Sequence, residues 1–144
     1  MSSETRAKLW RRSWFWVAVA VLVCLAAVVF TYKVSCVPRF TTVNDSANGS
    51  TVTLDIYLGY LIVELESNPT TGYRWELTSI SDPAVLDNYL HRYEAPTTEI
   101  TGAAGKEVWG FRPLKTGNST LNLEYKRPGS SDAAKTFSLT VKVK

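Results

Sequence analysis

Beyond residue 40 the chain alternates between apolar and polar positions. In "STVTLDI" Val52, Leu54 and Ile56 fall on one side, and Thr51, Thr53 and Asp55 on the other. "YLIVELE" sets Leu61, Val63 and Leu65 against Glu64 and Glu66, and "YRWELTSI" sets Tyr73, Trp75 and Leu77 against Arg74, Glu76 and Thr78. "EVWGFRPL", "STLNLEYKR" and "KTFSLTVKV" continue it, with Leu121, Leu123 and Tyr125, then Phe137, Leu139, Val141 and Val143. A period of two sends successive side chains to opposite faces, so these stretches predict strands with one buried face. Gly, Pro, Asn, Asp and Ser cluster between them, at 44–49, 67–72, 81–83, 116–118 and 127–132. Such clusters mark turns. Only Pro83–Tyr89 leaves room for a helical turn. About seven to eight short strands over 41–144 predict an all-β, immunoglobulin-like antiparallel β-sandwich, without the Cys…Trp…Cys signature of antibody domains.

The N-terminal part reads differently. "WFWVAVAVLVCLAAVVF" carries no charge, Pro or Gly, and extended to Tyr32 it is 19 residues long. That is close to the ~20 a helix needs to cross a bilayer core. Trp10, Trp14, Trp16 and Tyr32 sit at its ends, where amphipathic rings prefer the interface. The basic flank "RAKLWRRS" precedes it, which keeps the N-terminus cytoplasmic and translocates the rest. The expected organisation is a basic flank at 1–12, a transmembrane signal anchor at 13–32, a stalk at 33–40 and a folded domain at 41–144. That makes a single-pass membrane protein with an extracytoplasmic, lumenal, lysosomal or extracellular C-terminal domain. The alternative is secretion after cleavage of a signal peptide near Ser35 or Cys36. The run is longer than the usual apolar core of such a peptide and lacks a clear A-x-A site.

Charge and chemistry narrow the function. Residues 1–36 carry five basic side chains against one acidic, and the remainder 11 against 12. A near-neutral body argues against nucleic acid as partner. Cys24 lies within the apolar run and Cys36 just after it, so the body holds no disulfide of its own. His91 is the one histidine, and no Ser or Cys sits in a nucleophile motif. It reads as an ordinary strand residue. Glu64 and Glu66 read as a solvated face. No spaced cluster of metal ligands and no phosphate loop occurs, so neither an enzyme nor a metal, cofactor or small-molecule substrate is expected. Asn44, Asn48 and Asn118 head N-x-S/T sequons, acceptors in a glycosylating compartment.

The turn "NPTTG" is unusual in combining five constrained or small residues with no charge. Pro69 fixes its own φ and biases Asn68 toward extended backbone, Thr70 and Thr71 are stiff at χ1, and Gly72 can take positive φ. A rigid turn of this kind loses little entropy on binding and fits a narrow cleft. It also serves as a plain hairpin turn. Two later stretches, "TGAAG" (101–105) and "YKRPG" (125–129), decide between these uses. The order N-P-T-T-G, aromatic-x-W, a side-chain-poor glycine loop and Y-x-R-P resembles the chagasin family, protein inhibitors of papain-like cysteine proteases. The resemblance runs from about Thr42 to Val143. It departs at Ala104, where the family usually has Gly, and at Gly129, where it has Trp or Phe.

The resemblance implies three loops at one end of the sandwich that occlude a protease's active-site cleft, reversibly and tightly. Asn68, Pro69, Thr70, Thr71 and Gly72 would plug the catalytic centre, with Thr70 and Thr71 closest. Gly102, Ala103, Ala104 and Gly105 would line one side of the cleft, and Arg127 and Pro128 the other. Tyr73 and Trp75 would support the loops. Gly129 implies weaker inhibition unless Trp109, Phe111 or Tyr93 supplies the missing aromatic. The alternative function is a membrane-tethered adhesion or ligand-binding module on the same sandwich.

Overall fold

A computed structural model of the chain describes residues 14–29, 37–97 and 103–144. The chain divides into two compact units, Met1–Val37 and Pro38–Lys144. In the first, residues 14–29 form helix α1. It has no Gly or Pro to break it, and Cys24 is exposed on it. Sixteen residues span about 24 Å at the helical rise, short of a hydrocarbon core of roughly 30 Å. Among the described residues no helix is long and apolar enough to cross a membrane. The expected anchor is thus described over 14–29 alone. Ser13, residues 30–32, the basic flank 1–12, the first part of the stalk and Cys36 lie outside the described residues.

The second unit has eight strands: β1 (Arg39–Val43), β2 (Thr51–Leu54), β3 (Gly59–Ser67), β4 (Arg74–Ile80), β5 (Leu86–Glu94), β6 (Gly105–Pro113), β7 (Gly117–Lys126) and β8 (Ala133–Val143). One sheet has the order β1-β3-β6-β5 and the other β2-β8-β7-β4. The alternating positions meet between them. Leu61, Val63, Leu65, Trp75, Phe111, Leu121, Leu123, Phe137, Leu139 and Val141 are all buried in one core. Each such side chain contributes on the order of 1.5–3 kcal/mol by leaving water.

The sandwich is not wholly antiparallel. β1 runs parallel to β3 (Arg39 opposite Gly59) and β2 parallel to β8 (Thr51 opposite Thr140), each along the edge of its sheet. Periodicity reports which face of a strand is buried and carries no information on the direction of its neighbour. β1 also takes up Arg39 and Phe40, the end of the expected stalk. Its side chains are exposed or half-buried, so it has no apolar signature. The helical turn expected over Pro83–Tyr89 is shorter than that. Asp82 accepts from the amides of Ala84 through Oδ1 and of Val85 through its carbonyl, and β5 begins at Leu86. A bulge between Asn88 and Leu90 breaks the alternation of β5. The Asn88 amide group closes it by donating to the carbonyls of Leu90 (3.1 Å) and Gly110 (3.0 Å).

Candidate functional site

Three connections leave the strands at one end of the sandwich: 68–73 between β3 and β4, the stretch between β5 and β6, described at 95–97 and 103–104, and 127–132 between β7 and β8. Strand register puts them there. Ser67, the last residue of β3, pairs with Gly105, the first of β6. Arg74, the first of β4, pairs with Lys126, the last of β7. The sheets thus bring together segments more than thirty residues apart in sequence.

The central loop holds its own shape. Pro69–Thr71 form one 3-10 turn capped by Asn68, whose Oδ1 accepts from the Thr70 amide (3.2 Å) and hydroxyl (2.6 Å). The Thr71 hydroxyl donates to the Asn68 carbonyl (2.7 Å), and the Gly72 amide to that of Pro69 (3.0 Å). Gly72 ends the turn at φ 79°, a left-handed conformation that side chains with a Cβ resist. Pro69, Thr70, Thr71 and Gly72 are all exposed. The five unusual residues therefore make a projecting turn whose two hydroxyls are bonded within the loop.

A tyrosine column supports that turn from the second sheet. The Asn68 amide donates to the Tyr125 hydroxyl (3.0 Å), and Tyr73 stacks on the Tyr125 ring at 5.5 Å. The Arg127 guanidinium lies 4.9 Å from the Tyr73 ring centroid. Arg127 and Pro128 are exposed. The Ser130 amide donates to the Arg127 carbonyl (3.0 Å), and Gly129 has φ 79°. With Pro128 before it, this is the residue pattern and bond of a type II turn. Gly129 is therefore a turn residue in its own right.

The remaining loop is described only in part, since Gly102 falls outside the described residues. Ala104 is exposed and Ala103 half-buried, whereas Gly105 is buried. A Cβ on Gly105 would fall against the Glu94 carbonyl and the Tyr93 ring, so this glycine carries the loop rather than lining its surface. Lys106 and Lys126, at the feet of two loops, are held by carboxylates at 2.9 Å, Glu64 and Glu124 respectively. Those hydrogen bonds raise both amines above the ordinary 10.5. With Lys126 paired in this way, the exposed tip of its loop carries charge through Arg127.

Sequence reasoning passed over Glu107. It lies on β6 beside the core with 3% of its surface exposed. Its Oε1 accepts from the Ser67 hydroxyl (2.7 Å) and the Trp75 amide (2.9 Å). His91, read from sequence as an ordinary strand residue, places Nε2 2.9 Å from Oε2 and stacks on Trp109 at 3.7 Å. The signal was the acidic residue at an inward position of an apolar strand. Among the described residues no group of His, Cys, Asp and Glu could hold a metal.

The profile of the chagasin family peptidase inhibitor I42 matches residues 59–141, which take in the central loop and the Arg127–Pro128 turn. The chain belongs to the chagasin family. Chagasin of Trypanosoma cruzi is 31% identical over 106 residues, covering 69% of this chain and 94% of its own length. Amoebiasin-2 of Entamoeba histolytica is 32% identical over 92 residues, covering 63% and 75%. The solution structure of amebosin superposes with a TM-score of 0.60 at 30% identity, over 74% of this chain and 99% of that one. The fold is also that of the cysteine protease inhibitor EhICP2 from Entamoeba histolytica (TM-score 0.63, 18% identity, 73% and 95% covered). PbICP-C, solved in complex with falcipain-2, shares it too (TM-score 0.52, 18% identity, 76% and 92% covered). As a chagasin family member the chain is a protease inhibitor and not an enzyme.

Proposed function

We propose that this chagasin family member blocks papain-like cysteine proteases by inserting the 68–73 loop into the active-site cleft, flanked by the loops at 95–104 and 127–132. The inhibition of cysteine proteases follows from family membership. The observation that carries the mode is the central loop itself. It is exposed, uncharged and bonded internally through Asn68, Thr70 and Thr71. A loop already in its bound shape loses little entropy on association, and that raises affinity without added contact area. Obstruction of this kind presents no carbonyl for attack, so the inhibitor leaves intact. Thr70 and Thr71 contact the catalytic centre, Ala103 and Ala104 one wall of the cleft, and Arg127 and Pro128 the other.

The same proposal places the inhibitor outside the cytoplasm on a membrane, tethered by the uncharged segment that includes α1. It is supported by the basic flank before that segment and by its sequence length of 19 residues from Trp14 to Tyr32.

Titrating the full chain against papain and a cathepsin L-like enzyme tests the inhibition. Stoichiometric loss of activity, with the inhibitor recovered uncleaved, is expected. Replacing Asn68–Gly72 by a Gly-Ser turn should abolish it. Inhibition that survives this replacement, or a cleaved inhibitor, contradicts the mode.

A further inference from the structure

We infer that Glu107 is the positioning residue of the inhibitory loop, an inference that rests on the reading of 68–73 as the central wedge. The difficulty it resolves is topological. β3 belongs to one sheet and β4 to the other, so the loop crosses between sheets. Each foot is held by its own ladder, Ser67 to Gly105 and Arg74 to Lys126. No ladder joins the two feet. Glu107 Oε1 does, by accepting from Ser67 on one side and from the Trp75 amide on the other. The Trp75 indole adds a second crossing bond by donating to the Glu66 carbonyl at 3.0 Å. These bonds, with that of the Asn68 amide to Tyr125, set the tilt of the loop relative to its flanking walls, and Glu107 Oε1 is the one atom that holds both feet.

The second oxygen fixes the carboxylate. A carboxylate only accepts, so His91 donates from Nε2, and stacking on Trp109 holds the imidazole plane. β5, β6, β3 and β4 are therefore tied through one side chain directly beneath the wedge.

Stability gives a poor reason for an acid here. Burying a carboxylate carries a desolvation penalty, and well-packed apolar replacements of buried ion pairs are often neutral or better. Its inward neighbours on β6, Trp109 and Phe111, are apolar. An apolar residue would pack but could not span the feet, and it would leave the Trp75 amide and Ser67 hydroxyl unbonded.

The test compares Glu107→Leu and Glu107→Gln in the full chain. Gln keeps an oxygen for Ser67 and Trp75, whereas Leu removes both acceptors at similar volume. For Glu107→Leu the dissociation rate from papain should rise about tenfold or more, since changes at one interface appear mainly in dissociation. Glu107→Gln should stay within about threefold of the parent by the same reasoning. The amide resonances of Thr71 and Gly72 in the unbound chain should shift or broaden in the Leu variant only. A folded Glu107→Leu chain with the parent dissociation rate and unchanged loop resonances overturns the inference. Should Glu107→Leu not fold, Ser67→Ala carries the test, and a lowered melting temperature with an unchanged dissociation rate is the contrary result. If the parent chain inhibits no papain-like protease, the reading of the loop fails. The resonances of Thr71 and Gly72 still report, separately, whether Glu107 positions it.

Discussion

The guanidinium of Arg127 lies 4.9 Å from the centroid of the Tyr73 ring, joining the turn after β7 to the foot of the central loop. A cation over an exposed aromatic face contributes about 0.5–1 kcal/mol. In the proposed mode Arg127 has two roles, a contact with the protease and a clamp on Tyr73. Arg127→Ala should raise the inhibition constant a few-fold, on the order of threefold to fivefold if both are lost. Tyr73→Phe should change little, because the ring face remains. A double-mutant cycle between Arg127→Ala and Tyr73→Leu in the unbound chain should show a coupling near 0.5–1 kcal/mol in unfolding free energy. Zero coupling would mean the two side chains act independently.

Gly129 occupies the position where the family carries Trp or Phe, and restoring the aromatic looks attractive from sequence. Its φ of 79° argues the other way. Nothing lies within 4 Å of a Cβ built there, so space is ample, but the backbone itself resists an L side chain. A left-handed non-glycine residue costs roughly 1–2 kcal/mol. Gly129→Trp should therefore lower the melting temperature and bring no gain in affinity. A tighter inhibitor of unchanged stability would show that the turn rearranges freely to accept the ring.

Much of this architecture was legible from residue order because one physical rule governs it. Strands with one face in the core must alternate, and β3, β7 and β8 do. β1 buries little and β5 carries a bulge at Asn88–Leu90, so neither shows a clean period. Strand direction at the edges left no trace at all. The central loop was legible because Asn, Pro, Thr and Gly act on their own backbone, within four residues. Glu107 was not, since its partners Ser67, Trp75 and His91 are 40, 32 and 16 residues away. A lone acid among apolar neighbours signals such a knot but does not say what it ties.

The proposed tether is separable from inhibition. The unit Pro38–Lys144 has its own core and contains the three loops. A chain beginning at residue 38 should inhibit with the parent constant and remain in the supernatant with phospholipid vesicles. The full chain should float with the vesicles and resist an alkaline wash. Recovery of the full chain in the wash would remove the membrane anchor from the proposal and leave inhibition untouched.

Three aromatics were candidates to stand in for the one missing at position 129, and burial eliminates two. Trp109 is 6% exposed and Phe111 fully buried, so neither can reach a partner. Tyr93, near the end of β5, is 43% exposed at the same end as the loops. It rests where a Cβ on Gly105 would come within 2.5 Å of its hydroxyl, so the glycine makes room for the ring. Tyrosine is among the residue types enriched at binding hot spots, and in the proposed mode the protease would cover this exposed ring. Tyr93→Ala should weaken inhibition about tenfold, or 1.4 kcal/mol, while the melting temperature moves little. Tyr93→Phe should keep most of the affinity. An unchanged inhibition constant in Tyr93→Ala would show that the interface forms without an aromatic anchor, and that Thr70, Thr71 and Arg127 suffice.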